Sequence, residues 1–229
     1  MSSRPVSVIA LTSLVAMAAP GVSQTTVIDE GSYEITVRGS EIGTENFTIR
    51  RSGSGANAST VAQGRVVLDT GEQIRTVLEL RGTALRPVAY QVEVSGDNRR
   101  SVRGRASANR FRATIVSGAG ERMREFLTDD RAVILEDGIA HHHYFVATAL
   151  TGEGTIPVII PRQSQQVTAR VRDQGTETIR VEGREVRARH LSIRMPSLDD
   201  RSVWVDDQGR ILRMRIPDQE LVAVRTSLP

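Results

Sequence analysis

The stretch that decides the fold is GSYEITVRGSEIGTENFTIR, residues 31–50. Apolar and polar side chains alternate along residues 33–38, a Gly-Ser pair at residues 39–40 supplies a turn, and the alternation then resumes towards residue 50. A period of two places successive side chains on opposite faces of a strand. The stretch therefore predicts a β-hairpin with one apolar face and one polar face.

The same alternation returns along most of the chain. It marks strands between residues 61 and 115 and again between residues 167 and 225, with Gly, Asp and Asn at the intervening turns. Short antiparallel strands at this spacing form a meander with one face against a core. We expect a mainly β protein with one helix: a large curved antiparallel meander or half-barrel packed on one amphipathic helix.

One segment has helical rather than alternating spacing. Ile139, His143, Val146 and Leu150 recur at intervals of three or four, which predicts an amphipathic helix over residues 139–150. His143 lies on the apolar face of this helix. We expect it to be a core histidine that is hydrogen-bonded to the backbone.

Residues 156–160 predict an extended segment at an edge of the sheet. Pro157 lies in this segment and Pro161 follows it, and proline in a sheet is confined to edges because it cannot donate to a ladder. An exposed edge near residues 155–162 would give a partner protein a place to dock.

Residues 1–23 are predicted to be a removable signal peptide. Arg4 precedes an apolar run over residues 6–19, which is shorter than the roughly 20 residues that span a bilayer. Small residues allow cleavage after Ala18 or after Ser23. Residues 24–229 then form a single β-rich domain in the periplasm or outside the cell, without a transmembrane span, and the lack of cysteine excludes disulfides.

Charge and composition exclude some classes of function. All 30 basic residues are arginine, they face 27 acidic residues, and aromatic residues make up 3% of the chain. Nucleic-acid binding needs a concentrated basic face with aromatic rings for stacking, so nucleic acid is not an expected partner. The lack of lysine excludes Schiff-base chemistry.

The histidine triplet His141–His143 suggests a metal site, but its spacing argues against one. Contiguous histidines on a helix point about 100° apart, whereas ligands on one face are three or four residues apart. Only His190 remains elsewhere, so a tetrahedral site would need distant carboxylates. The Asp-Asp pairs, such as 206–207, are expected in turns. We expect no catalytic residue, no metal and no cofactor.

The stretch Asp206–Arg210 predicts a tight turn that pairs residues 203–205 with residues 211–216. Trp204 then points to the face opposite its two valine neighbours, into the concave side of the sheet or onto its rim. A structural role is the favoured interpretation of this tryptophan, ahead of stacking on a ligand.

Two residues of the first hairpin carry specific expectations. Gly43 interrupts a strand pattern and is predicted to lie at a bulge or at a close backbone approach. Glu45 is predicted to point outward as a solvated charge.

Arginine is concentrated on two neighbouring predicted strands. The residues are Arg99, Arg100, Arg103, Arg105, Arg110 and Arg112. Arg103 and Arg105 share a face, which predicts a local positive stripe. Two interpretations stay open: a solvated face paired with nearby carboxylates, or a surface for anionic lipid headgroups or lipopolysaccharide.

Two motifs resemble those of uncharacterised exported bacterial β-domains. They are G-x-Y followed by G-x-x-I-G-x-E over residues 31–45, and V-W-V-D-x-x-G-R over residues 203–210. The likeness in element order covers residues 30–225. Such domains are similar in outline to half-barrel periplasmic lipoprotein carriers, in which a curved sheet wraps a helix and shelters an acyl chain. The resemblance implies a similar fold and carries over no ligand residue.

These observations give three hypotheses for function. The first is a non-enzymatic binding protein for a lipid-like or other apolar ligand of the cell envelope, with candidate ligand-binding residues Trp204, Tyr144, His143, Arg103 and Arg105. The alternative is a structural or protein-interaction domain with a solid core, which docks an envelope protein through a sheet edge or the arginine-rich face. A metal-dependent enzyme is the third.

Overall fold

The computed structural model describes residues 25–129, 131–150 and 152–228. The predicted signal peptide and both of its cleavage positions lie outside the described residues. The described residues form fifteen strands, one short α-helix and three 3₁₀ turns.

The strand bounds show how completely the alternating pattern becomes sheet. They are β1 Thr25–Val37, β2 Ser40–Ser52, β3 Ser59–Leu68, β4 Gln73–Arg81, β5 Arg86–Ser95, β6 Arg100–Ser107, β7 Arg110–Ser117, β8 Gly120–Leu127, β9 Val133–Ile134, β10 Gly154–Ile160, β11 Gln165–Val181, β12 Arg184–Arg194, β13 Arg201–Val205, β14 Ile211–Ile216 and β15 Leu221–Arg225. The helix α1 is His143–Ala149, and the 3₁₀ turns are Gly55–Asn57, Pro161–Gln163 and Pro217–Gln219.

All fifteen strands belong to one curved sheet in the order β8-β7-β6-β5-β4-β3-β2-β1-β15-β14-β13-β12-β11-β10-β9. Two meanders, β1–β8 and β10–β15, therefore run outward in opposite directions from the central pair of β1 and β15. Neighbouring strands are antiparallel except β9 and β10, which are parallel. The predicted fold class, a mainly β curved meander with one helix, is confirmed.

The two ends of the sheet approach each other. The side-chain amide of Gln166 in β11 accepts a hydrogen bond from the backbone N–H of Leu127 in β8 at 3.0 Å and donates one to its carbonyl at 2.5 Å. Arg100 of β6 donates to the carbonyl of Arg162 in the 3₁₀ turn that follows β10. These side-chain contacts, rather than a strand ladder, link the far strands of the two meanders, so the sheet is barrel-like but open.

The chain between β8 and β10 fills the inner side of this sheet. We call residues 132–147 the inner segment. Except for residues 137, 138 and 144, every residue of the inner segment is buried. It packs in one hydrophobic core with side chains from both meanders, including Tyr33, Leu78, Phe111 and Ile193. The core is therefore built from three layers of chain: one meander, the inner segment and the other meander.

The helix is shorter than predicted. Only residues 143–149 are α-helical; residue 140 is a bend and residues 141–142 form a turn. The backbone N–H groups of Ala140 and His141 donate to the side chain of Glu45 on β2, so the chain bends around this carboxylate before the helix begins. None of the described helices combines the length and the apolar composition needed to cross a lipid bilayer.

The prediction of an exposed edge near residues 155–162 is wrong. β10 lies between β9 and β11, and Ile156, Val158, Ile159 and Ile160 are fully buried. The short strand β9 pairs only with residues 158 and 159 of β10, which leaves Pro157 outside that ladder. The inner segment thus covers this edge at residues 158 and 159, between the two prolines.

Gly43 lies at a β-bulge against β1 and beside the backbone of β3, which confirms the predicted bulge and close approach. A Cβ atom at Gly43 would lie 2.2 Å from the carbonyl oxygen of Val67. We therefore expect Gly43→Ala to lower the free energy of unfolding by about 3 kcal/mol, since backbone must move to relieve the clash. Urea unfolding measures this change. Gly118→Ala is the matched control, because a Cβ there meets nothing within 4 Å; an equal effect of both substitutions would contradict the prediction.

Candidate functional site

The arginine-rich strands form an exposed patch on the outer face of the sheet. In β6, Val102 and Gly104 face the core, so Arg103 and Arg105 project outward together, as the alternation predicts. In β7, Arg110 and Arg112 project outward beside them.

Between β3 and β4 and between β6 and β7, the strand register places arginines directly opposite each other on this face. Arg65 of β3 lies opposite Arg75 of β4, and Arg105 of β6 lies opposite Arg112 of β7. All four side chains are exposed. Like charges in directly opposite positions destabilise a sheet by a few tenths to about 1 kcal/mol per pair. The register therefore brings positive charges together on this face, although it also places Glu93 of β5 opposite Arg75.

Protein groups neutralise this charge only in part. Glu125 pairs with Arg112 at 2.5 Å and Arg110 at 3.4 Å, and the hydrogen bond from Arg112 lowers the pKa of the Glu125 carboxyl. Arg103 reaches Glu93 only at 4.0 Å. Within the part of the chain that the structure describes, no carboxylate lies within ion-pair distance of Arg75 or Arg105. The interpretation of a solvated, internally paired face thus fits Arg110 and Arg112 but not Arg105.

Two adjoining grooves run between these side chains. The first, of about 940 Å³, is lined by Asn46, Gln63, Arg65, Arg75 and Val77 among others. The second, of about 530 Å³, shares Val77 and continues past Ala89 and Gln91 to Arg103, Arg105 and Arg112. We call the two together the outer groove. Seven arginines line the outer groove beside four acidic residues, Asp29, Glu30, Glu79 and Glu125, so its lining carries a net positive charge that favours an anion.

The sequence predicts that Trp204 faces the concave side of the sheet or its rim, but the structure places it on neither. Val203 and Val205 belong to the main core, so Trp204 points to the outer face, where it joins a second apolar cluster with Ile179 and Leu212. The far half of the β11–β12 hairpin covers it there, and 7% of its surface is exposed. Such burial gives this tryptophan the structural role that the sequence favours.

The ring of Trp204 is held on both sides and at its edge. The His190 ring stacks on it with centroids 4.4 Å apart, and the Arg213 guanidinium carbon lies 4.9 Å from its centroid. Its Nε1–H donates to Glu177 at 3.1 Å, and this bond is the main cause of the lowered pKa of the Glu177 carboxyl. No face of the ring is left for a ligand.

The tight turn predicted at Asp206–Arg210, between β13 and β14, is confirmed. Asp206 Oδ1 accepts from the backbone N–H groups of Gln208 and Arg210, and Gly209 takes a φ of 78°. β13 and β14 pair across it. The Asp206-Asp207 pair is a turn element, as expected.

His143 and Tyr144 belong to the inner segment and not to the outer groove. The Nδ1 atom of His143 lies 3.0 Å from the carbonyl oxygen of Ala140, which confirms the predicted core histidine with a backbone hydrogen bond. Burial lowers the pKa of His143 to about 3. Tyr144 is half-buried against Phe145, and burial raises the pKa of its hydroxyl.

Glu45 lies in the core and not on the solvent-exposed face of its strand. It is predicted to be an outward charge, but its side chain is completely buried. Its carboxylate accepts from the N–H groups of Ala140 at 2.7 Å and His141 at 3.1 Å, and lies 2.5 Å from His141 Nδ1. The sequence indicates this inward position, because Glu45 lies two and four residues before the core residues Phe47 and Ile49 and so shares their face of the strand.

The histidine triplet does not build a metal centre. His141 stacks on Phe47 and its Nδ1 is held by Glu45, while His142 packs edge-on against Tyr90. Among residues 25–129, 131–150 and 152–228, no group of three or more His, Asp or Glu side chains could hold a metal ion. The arrangement is a buried polar cluster anchored by one carboxylate.

Comparisons with known proteins identify a family without an assigned activity. Residues 33–228 match the model of DUF6134, described as a domain of unknown function. The structure resembles the crystal structure of a beta-barrel-like protein of the domain of unknown function DUF1849 from Brucella abortus, with a TM-score of 0.51, 9% sequence identity, and coverage of 86% of this chain and 94% of that chain. This likeness concerns the fold alone. No curated protein matches the sequence.

Proposed function

Since the chain belongs to the DUF6134 family, a domain of unknown function, we propose from its geometry that it is an exported, non-enzymatic binding domain of the cell envelope. In this proposal it binds an anionic partner in the outer groove. The partner is the phosphate-bearing headgroup layer of anionic lipids.

One observation carries the proposal. Two directly opposed arginine pairs, Arg65–Arg75 and Arg105–Arg112, face the same outer groove, and within the described residues only Arg112 of these four has an ion-paired carboxylate, Glu125. Without an anion these pairs destabilise the sheet. A phosphate bridging them would convert repulsion into charge-assisted hydrogen bonds, since each guanidinium binds phosphate bidentately.

The outer groove fits a solid-core interaction domain, the second hypothesis from the sequence, better than it fits the first, a binding protein for an apolar ligand. A lipid-like ligand on the inner side stays a prediction, and the inner segment occupies that side. At the sheet edge near residues 155–162, residues 156 and 158–160 are buried and β9 pairs with residues 158 and 159. A solid-core interaction domain is expected to dock through a sheet edge or through the arginine-rich face. Of these two surfaces, we favour the arginine-rich face.

Sedimentation with vesicles tests the proposal. We expect the protein to bind vesicles that contain phosphatidylglycerol and to release them as salt is raised, while phosphatidylcholine vesicles bind little. Replacing Arg75 and Arg105 together with glutamate should weaken binding by more than about 30-fold, because the loss of each arginine near an anionic surface removes about 1 kcal/mol and the surface also repels the new carboxylates.

The matched control changes charge equally at another site. Arg184 and Arg187 are exposed on β12, away from the outer groove, and neither lies opposite another arginine in the β11–β12 register. The Arg184→Glu, Arg187→Glu variant should keep most of the binding. Equal losses in the two double variants, or equal binding to neutral vesicles, would show that the outer groove is not the site.

A further inference from the structure

Three of the four histidines of the chain are consecutive and completely buried in the inner segment. His141, His142 and His143 are each 0% exposed. His190, by contrast, lies on the outer side against Trp204. A buried run of imidazoles can bind protons between pH 5 and 7 only by leaving its burial site or by becoming charged within the core.

The groups around the triplet set the cost of protonation. Its neighbours come from every packed element: Glu45 of β2, Tyr90 of β5, Glu136 and Asp137 of the same segment, Arg162 of the 3₁₀ turn after β10, and Arg201 of β13. Glu45 contacts His141. Both arginines act against a proton on His142, and Arg201 acts against one on His143.

Several nitrogen atoms of the triplet have no hydrogen-bond partner among the described residues. They are His141 Nε2, both ring nitrogens of His142, and His143 Nε2, all buried. Burial, with further contributions from neighbouring positive groups, lowers the pKa of His142 well below its ordinary value. For His143, burial lowers the pKa to about 3. Both imidazoles are therefore neutral at pH 7 while the inner segment is docked.

The inner segment is joined to the sheet by few backbone contacts. β9 contributes two residue pairs, and Leu135 N–H donates to the Ile159 carbonyl at 3.0 Å. Its other attachments are the polar contacts of Glu45 with residues 140–141, Glu136 with Arg162 at 2.8 Å and Asp137 with Arg201, and the packing of its apolar side chains in the shared core. The strands β1–β8 and β10–β15 are held by continuous ladders that do not pass through the segment, so its release separates side-chain packing while the backbone hydrogen bonds of these strands stay in place.

We propose that residues 132–147 act as an acid-released plug: protonation of His142 and His143 detaches the inner segment from an otherwise intact sheet. The proposal does not depend on the outer groove.

The sign follows from proton linkage. The docked state binds protons to these histidines less tightly than the released state does, so docking is favoured above pH 6.5 and is lost as pH falls below it. Each histidine changes the docking equilibrium about tenfold per pH unit in that window. Glu136 opposes them, because burial raises the pKa of its carboxyl and it takes up a proton while docked. Release therefore takes up one to two protons.

Hydrogen exchange measured from pH 7.5 to pH 4.5, corrected for intrinsic rates, tests the proposal on the unmodified protein. Peptides spanning residues 132–147 should lose protection by between tenfold and 100-fold per pH unit below about pH 6, while peptides of β3 and β4 keep theirs. His142→Phe keeps an aromatic ring against Tyr90 and removes one titrating group. The loss of protection per pH unit in residues 132–147 should then be about tenfold smaller than in the unmodified protein.

His190→Phe is the matched control, since a phenyl ring can keep the stack on Trp204, and it should leave the steepness unchanged. Constant protection of residues 132–147 down to pH 4.5 would overturn the proposal. So would loss of protection in β3 and β4 at the same pH, because the event would then be global unfolding. An unchanged pH dependence in His142→Phe would also overturn it.

Discussion

Replacing Glu45 with glutamine will lower the free energy of unfolding by about 3 kcal/mol, measured by urea unfolding at pH 7. The carboxylate has three short contacts, to Ala140 N–H, His141 N–H and His141 Nδ1, and it is completely buried. An amide offers one acceptor oxygen, so at least one of these groups faces an NH₂ donor instead. Hydrogen bonds to charged groups contribute about 1.5–3 kcal/mol each.

Glu34→Gln on β1 is the control for Glu45→Gln. Glu34 is exposed on the neighbouring strand, and a surface change of this kind stays within about 0.5 kcal/mol. If Glu45→Gln proved as mild as Glu34→Gln, the carboxylate would not be what holds the inner segment at residues 140–141.

The second large effect is expected at the junction of the two meanders. Arg225 of β15 binds both carboxylate oxygens of Asp29 on β1, at 2.7 Å and 3.1 Å, and its guanidinium carbon lies 5.4 Å from the Phe47 ring centroid. Both side chains are buried. Arg225→Met should cost about 3–5 kcal/mol of stability, because Asp29 is left as a buried charge without its partner.

A double-mutant cycle separates this cause from lost packing. Asp29→Asn added to Arg225→Met removes the unpaired charge and should recover a large part of the loss in urea unfolding. If the double variant is destabilised by the sum of the two single changes, the ion pair contributes nothing specific and packing of the arginine stem explains the effect.

The strands were predictable because one rule applies along the whole sheet. In a curved sheet with a core on one side, burial alternates with each residue, so the pattern in residues 31–50 and its repeats indicates both the strands and the inward faces. The tight turn at Asp206–Arg210 and the bulge at Gly43 were predictable for a similar reason, since each depends on local backbone chemistry.

The errors come from contacts between residues far apart in the chain. The start of the helix could not be predicted, because Glu45 binds Ala140 across 95 positions. Trp204 faces a second apolar cluster that exists only because the β11–β12 hairpin covers the outer face. The prolines at 157 and 161 indicated an edge, but a two-residue strand from the inner segment covers it.

Glu45 itself is a different kind of error. Its position in the alternation places it with Phe47 and Ile49, but its charge suggested solvent. A charged residue in an inward position is informative, because burial of a carboxylate requires partners. The arginine stripe was predictable as a stripe, whereas the opposed pairs depend on the register of β3–β4 and β6–β7, which alternation does not define.

The pairing of β1 with β15 has a consequence for how the chain matures. These strands join Tyr33 to Arg225 and Val37 to Leu221 at the middle of the sheet, so this join closes only after almost the whole described chain has been made. Until then one long side of β1 has no neighbour, and contacts between such distant positions form slowly. A nascent first meander is therefore open to mispairing, and its protection depends on the last strand to arrive.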